Sequence, residues 1–409
     1  MISERLQQDI QTFITTGVRE EPCEGSPVLL WDNLRSLGTE LWLDTGDMEA
    51  AAAEWSPAFT ALTTNNTLLN REVQKGIYDE LIREGATLLS ELPLEDKVLE
   101  LSFILNARHG LRLAERFGTR VSVELHTDLS RDVEGIVHYG ERFHQIAPEA
   151  FIVKVPFTAD GLIGARKLRE RGIEVNLTLG FSARQNVFAA EIARPNYVNV
   201  FLGRLNAVVA DNRLGSGENV GERTTLASQE AVAGASVGKR EPVRQIAASM
   251  RDGGQVASLA GTDVFTMPVK VASDARQRLS PPLQTMREAE YPVALYSGVD
   301  ADVVGIERLW SVQAEEVQLA RALGERPPER GEAVVTACEG AGIGDLFPRM
   351  SDGELSQIAS DGKIPRFSRW SGRVAERSLA LDSLMNLSGL ASFSADQEAL
   401  DDRIRSQLG

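Results

Sequence analysis

Eight short stretches of the chain crowd apolar residues together at strand length. They are Leu41–Thr45 (LWLDT), Ala61–Asn65 (ALTTN), Val121–Leu125 (VSVEL), Phe151–Pro156 (FIVKVP), Glu174–Leu179 (EVNLTL), Tyr197–Gly203 (YVNVFLG), Arg244–Met250 (RQIAASM) and Val264–Pro268 (VFTMP). Runs this continuously apolar suit strands covered on both faces, as in a parallel sheet. Helical stretches separate them. In Asp160–Gly172, Leu162, Ile163, Ala165 and Leu168 share one face and Gly172 is placed to stop the helix. Eight strands alternating with helices predict an α/β fold, a closed (β/α)₈ TIM barrel. An open doubly wound sheet is the competing arrangement, but no G-x-G-x-x-G turn follows the first strand.

The connections are uneven. Asn66 to Arg120 is long enough for two helices, and Leu205 to Val243 opens on a polar, glycine-rich surface loop (DNRLGSGENVGERTT) before a helix. After about Ser273 the barrel pattern ends and the remainder reads as helical. Leu309, Val312, Glu316 and Leu319 sit on a stretch ending near Gly324, ahead of Pro327 and Pro328. Ser351 to Glu354 fits a capping box, with Gly362 to Pro365 as the stop. Leu400, Ile404 and Leu408 recur every four residues, so the last helix should pack on the body. The expected organisation is a barrel with an N-terminal helical segment over 1–275 and a helical C-terminal extension packed on it over 276–409.

Composition narrows the function. Of 409 residues, 43% are apolar and the net charge is −16, which excludes a disordered chain and a general nucleic-acid binder. No apolar run approaches the ~20 residues of a membrane helix. The start of the chain, from Met1, lacks a signal peptide's basic and apolar segments. Two cysteines, Cys23 and Cys338, can neither staple a secreted scaffold nor build a thiolate zinc site. A reducing cytoplasm is the expected address, and the composition suits a monomer or a homodimer. His126 with Asp128 could suggest a metal pair, but four histidines without an H-E-x-x-H read as loop or surface residues. Cys338 lacks a base partner and reads as a buried or indifferent thiol. Gly215–Gly221 is no phosphate loop, since no GK[ST] follows, and reads as flexible turns.

The chemistry lies within the strands. Lys154, between Val153 and Val155, should face a dehydrated interior. Burial there lowers an amine's pKa, and a neutral amine can attack a carbonyl to form a Schiff base. Taken alone, Lys154 also fits a strand-end lysine that pairs with an acid or reaches solvent. Its company points elsewhere: Asp44, Asn65, Glu124, Asn176 with Thr178, Arg204, and Ser249 with Arg251 all stand at or near the C-terminal ends of their strands. Barrel enzymes build their active sites at that face. Glu124 could move protons through a water oriented by Thr178, and Asp44 could take a proton from a substrate hydroxyl. Asn65 and Asn176 could hold hydroxyls, while Arg204, Arg251 and Ser249 could grip a phosphate. That set suits an aldolase-type reaction on a phosphorylated ketose with no metal or organic cofactor.

The same stretches resemble transaldolase, the Schiff-base enzyme of the non-oxidative pentose phosphate pathway. The motifs are Leu43–Asp47 (LDTGD), Thr63-Thr64-Asn65, Val121–Leu129 (VSVELHTDL), Ile152–Pro156 (IVKVP), Asn176–Leu179 (NLTL), Phe201–Arg204 (FLGR), Ser249–Arg251 (SMR) and, near the end, Phe393–Leu400 (FSADQEAL), which is similar to the family's closing helix. The resemblance implies Lys154 as Schiff-base residue, Glu124 and Thr178 serving the catalytic water, and Asp44 as acid/base. It implies Asn65 and Asn176 as substrate ligands and a phosphate site of Arg204, Ser249 and Arg251. It further implies transfer of a dihydroxyacetone unit from sedoheptulose 7-phosphate or fructose 6-phosphate to glyceraldehyde 3-phosphate or erythrose 4-phosphate. Two positions depart: the family's Thr-Thr-Asn-Pro ends here in Asn66, losing a constraint on φ, and a small hydroxyl residue is replaced by Asn199. Phe201 matches the transferases, whereas tyrosine there is associated with aldolases that release free dihydroxyacetone. A non-catalytic sugar-phosphate-binding barrel is the third reading, though a pure binder would need the arginines and not a buried amine with a proton relay.

Overall fold

The computed structural model describes residues 2–408, so Met1 and Gly409, the outermost residues of the two expected units, lie outside the described residues. Its strands are β1 (Glu40–Asp44), β2 (Phe59–Thr63), β3 (Arg120–Glu124), β4 (Phe151–Pro156), β5 (Val175–Thr178), β6 (Tyr197–Phe201), β7 (Arg244–Ala248) and β8 (Val264–Pro268). They pair in parallel in chain order, and β1 closes the barrel against β8. The expected alternation of strands and helices is therefore the observed one. β2 ends two residues earlier than its apolar pattern suggested, because Asn65 leaves the sheet to cap the helix Asn66–Val73, its Oδ1 accepting from the Leu68 N–H at 2.9 Å. β6 stops at Phe201 because the next helix, Leu202–Asp211, begins inside the predicted strand.

Alternate residues of a strand face the same side, and this layers the lumen. At its lower end Glu40 gathers Arg120, Arg244, Thr60 and the Trp42 indole, and Arg120 also reaches Glu174 and Tyr197. Above it Trp42, Ala61, Ile152, Tyr197, Ile246 and Val264 form an apolar layer separate from the outer core. The top layer is polar and open at the C-terminal ends of the strands. The outward strand residues join the surrounding helices in one continuous core.

Four expectations change. The segment from Asn66 to Arg120 holds three helices, not two: Asn66–Val73, Asp79–Leu88 and the 24-residue Leu94–Phe117. Gly76 at φ 81° and Pro93 provide the breaks. Between Leu205 and Val243 the chain opens on a helix, not a loop, because Leu202–Asp211 runs on before the turn that precedes helix Val220–Ala235. Gly217 in that turn has φ 78°, as a flexible turn requires, but Gly221 is helical: a Cβ there would lie 2.3 Å from the Leu202 carbonyl oxygen, so it is glycine for close packing. The tail is not helical throughout, since residues 279–300 form an irregular strap containing Pro281, Pro282 and Pro292. The strap is tied to the body by Leu283 N to Asn33, Met286 N to Ala260 O and the Tyr291 hydroxyl to Ser258 O.

Helices then dominate. Ser351 and Glu354 form the expected capping box on Asp352–Asp361, and Gly362 ends that helix at φ 75°. The last helix, Leu381–Leu408, buries Leu400 and Ile404 as its period predicted. One buried ionic cluster joins tail to barrel. Arg184, just after β5, donates to Asp382 through Nε (2.8 Å) and Nη2 (2.9 Å), and through Nη1 to Glu316 (3.1 Å) and Asp345 (3.2 Å). Among the described residues no helix is long and apolar enough to cross a membrane.

Candidate active site

The polar top of the lumen is a cavity of about 630 Å³. Asp44, Asn65, Lys154, Asn176, Thr178, Phe201, Arg204, Ser249 and Arg251 all line it. Glu124 stands directly beside it, in register with Lys154 on the neighbouring strand. The ten expected site residues are thus brought together from seven strands and the turns that follow them.

Lys154 is 4% exposed, and its Nζ donates to the Thr64 carbonyl at 3.2 Å. It sits between Glu124 on β3 and Asn176 on β5 by strand register. Burial raises the pKa of the Glu124 carboxyl; the Lys154 charge and the Asn66 N–H, which donates to Oε2 at 3.3 Å, offset part of that rise. Asp44 is raised by the same dehydration, offset by Lys154 and by the Thr63 hydroxyl, which donates to Oδ1 at 2.7 Å. Thr63 and Thr266 hydroxyls lie 2.6 Å apart behind it. Two carboxyls with raised proton affinity therefore lie within the field of one buried amine, a setting suited to proton exchange. The Thr178 hydroxyl is fully buried and has no partner among the described residues. A buried hydroxyl without a partner is costly unless a water or ligand meets it.

Asn176 donates to the Ser122 hydroxyl at 3.1 Å, and Asn199 braces it from β6, its Nδ2 lying 3.4 Å from Asn176 Oδ1 and 3.1 Å from the Leu177 carbonyl. Asn199 also lines the cavity. At the rim, Arg204 lies near the Phe201 and Phe393 rings, and its buried Nη1 has no acceptor. Burial and the Arg251 charge push its pKa down to about 10. Neither arginine has an ion-pair partner among the described residues, so two guanidiniums without a carboxylate stand near each other at the rim, an arrangement that suits an anion. Ser249 holds φ 63°, a left-handed conformation rare outside glycine. Its carbonyl comes so close to Gly203 that a Cβ on Gly203 would lie 2.2 Å away.

Several lining residues escaped the sequence reading. Thr63 and Thr266 stand at inward strand positions, a parity that could have revealed them. Arg71, Lys270 and Lys363 add cations at the mouth, and the last helix contributes Ser392, Phe393 and Asp396. Asp396 accepts from the Thr67 hydroxyl, latching that helix to the start of helix Asn66–Val73. Two histidines are not surface residues. His126 lies in the loop after β3 as expected, but its side chain is only 7% exposed and meets Asp401 of the last helix at 3.1 Å, and His109, 1% exposed, meets the Tyr78 hydroxyl at 2.9 Å. Burial and the Arg112 charge hold His109 down at about 4, so it is neutral under Gly46, in the loop that follows Asp44. Cys338 is buried and its thiol is pushed up to about 12. No cluster of three metal-ligating side chains occurs among the described residues. A wider groove of about 1020 Å³ runs between the loops after β3 and β4 and the tail, but charges along it, such as Lys167 with Glu134 and Arg349 with Glu332, are already paired.

Comparison with known proteins identifies the family. Residues 41–302 match the family model described as transaldolase/fructose-6-phosphate aldolase. A probable transaldolase of Thermus thermophilus is 32% identical over 233 residues, 56% of this chain and 86% of that protein. The transaldolase of Chlamydia pneumoniae is 28% identical over 273 residues, 64% of this chain and 80% of the relative. That of Xanthomonas euvesicatoria is 28% identical over 234 residues, 55% and 71% respectively. The tail beyond residue 302 lies outside the family match.

Proposed function

The chain belongs to the transaldolase/fructose-6-phosphate aldolase family, and from that premise we propose that it is a transaldolase working through a Schiff base on Lys154. The observation that carries the reading is the single buried amine whose field reaches two carboxyls of raised proton affinity, with an unpartnered Thr178 hydroxyl close by. In this reading the ketose phosphate enters with its phosphate on Arg204, Arg251 and Ser249. Lys154 Nζ attacks C2, and loss of water from the carbinolamine leaves an iminium. Glu124 delivers and removes the protons of that dehydration through a water held by Thr178. Asp44 then takes the C4 hydroxyl proton as the C3–C4 bond breaks. The bonding electrons move into the iminium, the aldose phosphate leaves, and the three-carbon enamine stays on the lysine. Attack of the enamine on the aldehyde of an acceptor reverses these steps, and hydrolysis frees the new ketose phosphate. Asn65 and Asn176 hold the unit's hydroxyls.

Phe201 supports transfer over release, because a phenyl ring brings no hydroxyl to activate water against the enamine. Sedoheptulose 7-phosphate or fructose 6-phosphate as donor, and glyceraldehyde 3-phosphate or erythrose 4-phosphate as acceptor, fit a site with one phosphate grip and a hydroxyl-binding floor. The test is borohydride reduction in the presence of fructose 6-phosphate, followed by peptide mass mapping. A dihydroxyacetone-derived adduct on Lys154, absent from Lys154→Ala, together with turnover that requires an acceptor aldose phosphate, is the expected result. An adduct with acceptor-independent release of dihydroxyacetone makes the protein an aldolase. Sugar-phosphate binding without an adduct removes the lysine mechanism and leaves a binding barrel.

A further inference from the structure

The Asn66 main chain does something at Glu124 that a proline there could not. Asn66 is the first residue of helix Asn66–Val73 and is 1% exposed. Its N–H, one of the helix's unpaired leading donors, points at Glu124 Oε2 at 3.3 Å. Its side chain locks the backbone in place: Nδ2 donates to the Leu125 carbonyl at 3.2 Å, and Oδ1 lies 3.4 Å from Asn106 Nδ2, which itself donates to the Glu124 carbonyl at 2.7 Å. Asn66 and Asn106 therefore fix both the peptide and the carboxylate of Glu124.

We propose that Asn66 is a positioning residue, whose backbone N–H holds the Glu124 carboxylate toward Lys154 and favours its ionised form. The proposal rests on Glu124 being the proton-transfer group of the reaction above. The other charges acting on Glu124 are Lys154 from β4, Asp44 from β1 and Arg204 beyond β6. His126 and Tyr139 lie behind it but are engaged with Asp401 and with Glu100, which also holds Arg142. Burial drives Glu124 toward its neutral form, and the Asn66 N–H opposes that drive.

Asn66→Pro removes only this donor and the side chain, because proline suits the first position of a helix. Asn65 before it is already extended (φ −159°, ψ 171°), as the residue preceding a proline must be. Asn66→Ala removes the side chain and keeps the N–H. One hydrogen bond to a carboxylate shifts its pKa by roughly 0.5–1 unit. Loss of the donor raises the Glu124 pKa, so the acid limb of kcat/KM should move up by about that amount in Asn66→Pro and by less in Asn66→Ala, which loosens the N–H but keeps it. The second measurement needs no proline. With ¹⁵N-asparagine labelling, the Asn66 amide proton (assigned by its loss in Asn66→Ala) should move downfield as pH rises through the Glu124 titration, and Glu124→Gln should abolish the movement. An amide that titrates in a protein without transaldolase activity supports the contact and refutes the function. An active protein whose Asn66 amide does not titrate, or whose acid limb is the same in Asn66→Pro as in Asn66→Ala, overturns the proposal.

Discussion

Replacing Arg184 with methionine isolates the energy that clamps the tail to the barrel. The guanidinium is fully buried and satisfies three carboxylates, from Glu316, Asp345 and Asp382. Among the described residues only Arg308, itself partly exposed, supplies a second positive charge to the cluster, at 3.2 Å from Glu316 and 3.7 Å from Asp345. Without Arg184 the three acids face one partial counter-charge, and Asp382 keeps only the Ser182 hydroxyl (2.6 Å) and the Ser383 N–H (2.9 Å). Breaking a buried ion pair from one side costs about 3–5 kcal/mol, because the remaining charge stays buried. With an unfolding entropy of roughly 0.9 kcal/mol/K for a chain this long, that corresponds to a Tm lower by about 3–6 °C. Burial alone would raise the Asp382 pKa, but the Arg184 charge and hydrogen bonds outweigh it and hold it below 3.8. A depressed carboxyl stabilises the fold above its unfolded pKa and loses that contribution as pH falls through the folded value. The gap between wild type and variant should therefore be full above about pH 4 and should narrow in stronger acid. Activity should fall as well, since Asn386, one turn beyond Asp382, bridges the Phe157 and Leu179 carbonyls (3.0 and 2.9 Å) beside β4 and β5. Calorimetry from pH 3 to 8 with limited proteolysis of the tail reads all of this. A variant that melts within a degree of wild type at pH 7, with its tail equally protected, would refute the reasoning.

Gly203→Ala should raise the KM for ketose phosphate roughly 10- to 100-fold, the loss of about one charge-assisted hydrogen bond. Its Cβ would meet the Ser249 carbonyl at 2.2 Å and the Arg251 side chain at 2.7 Å; unchanged kinetics would mean the phosphate grip does not involve these two residues. Arg204→Ala should weaken phosphorylated sugars by a similar factor while leaving slow turnover of unphosphorylated analogues untouched, and Arg204→Lys should fall between, because an ammonium lacks the guanidinium fork. Initial rates with each pair of sugars decide it. Cys338, with its thiol pushed up to about 12, should resist a thiol reagent at pH 8 until the protein is denatured, and rapid labelling of Cys338 in the native state would show that the tail opens readily.

The barrel and most of its site were readable because their information is local. Each strand announces itself in five or six residues, and a polar residue at an inward position near a strand's end, such as Glu124, Lys154 or Thr178, is visible as a break in an apolar run. The irregular strap at 279–300 was missed in a tail expected to be helical, although Pro281, Pro282 and Pro292 forbid a continuous helix there. Other features had no local signature. Arg184 stands in Ser182-Ala-Arg-Gln185, where an arginine looks solvent-facing. Its acceptors lie 132, 161 and 198 residues further on, in helices whose placement only the closed barrel defines. Glu40, Arg120 and Arg244 look like ordinary charges at strand starts until closure points them at one another across the lumen. Asn66 is the sharpest case. Read as a side chain it was only a missing proline, with a lost constraint on φ. The consequence lies in the main chain, because exchanging proline for any other residue restores an N–H, and whether that donor matters depends on which acceptor the fold brings to it. Here the acceptor is the Glu124 carboxylate on the next strand, in register with Lys154. A departure that looks like lost rigidity is therefore also a gained hydrogen bond, and the two differ in sign for proton transfer at Glu124.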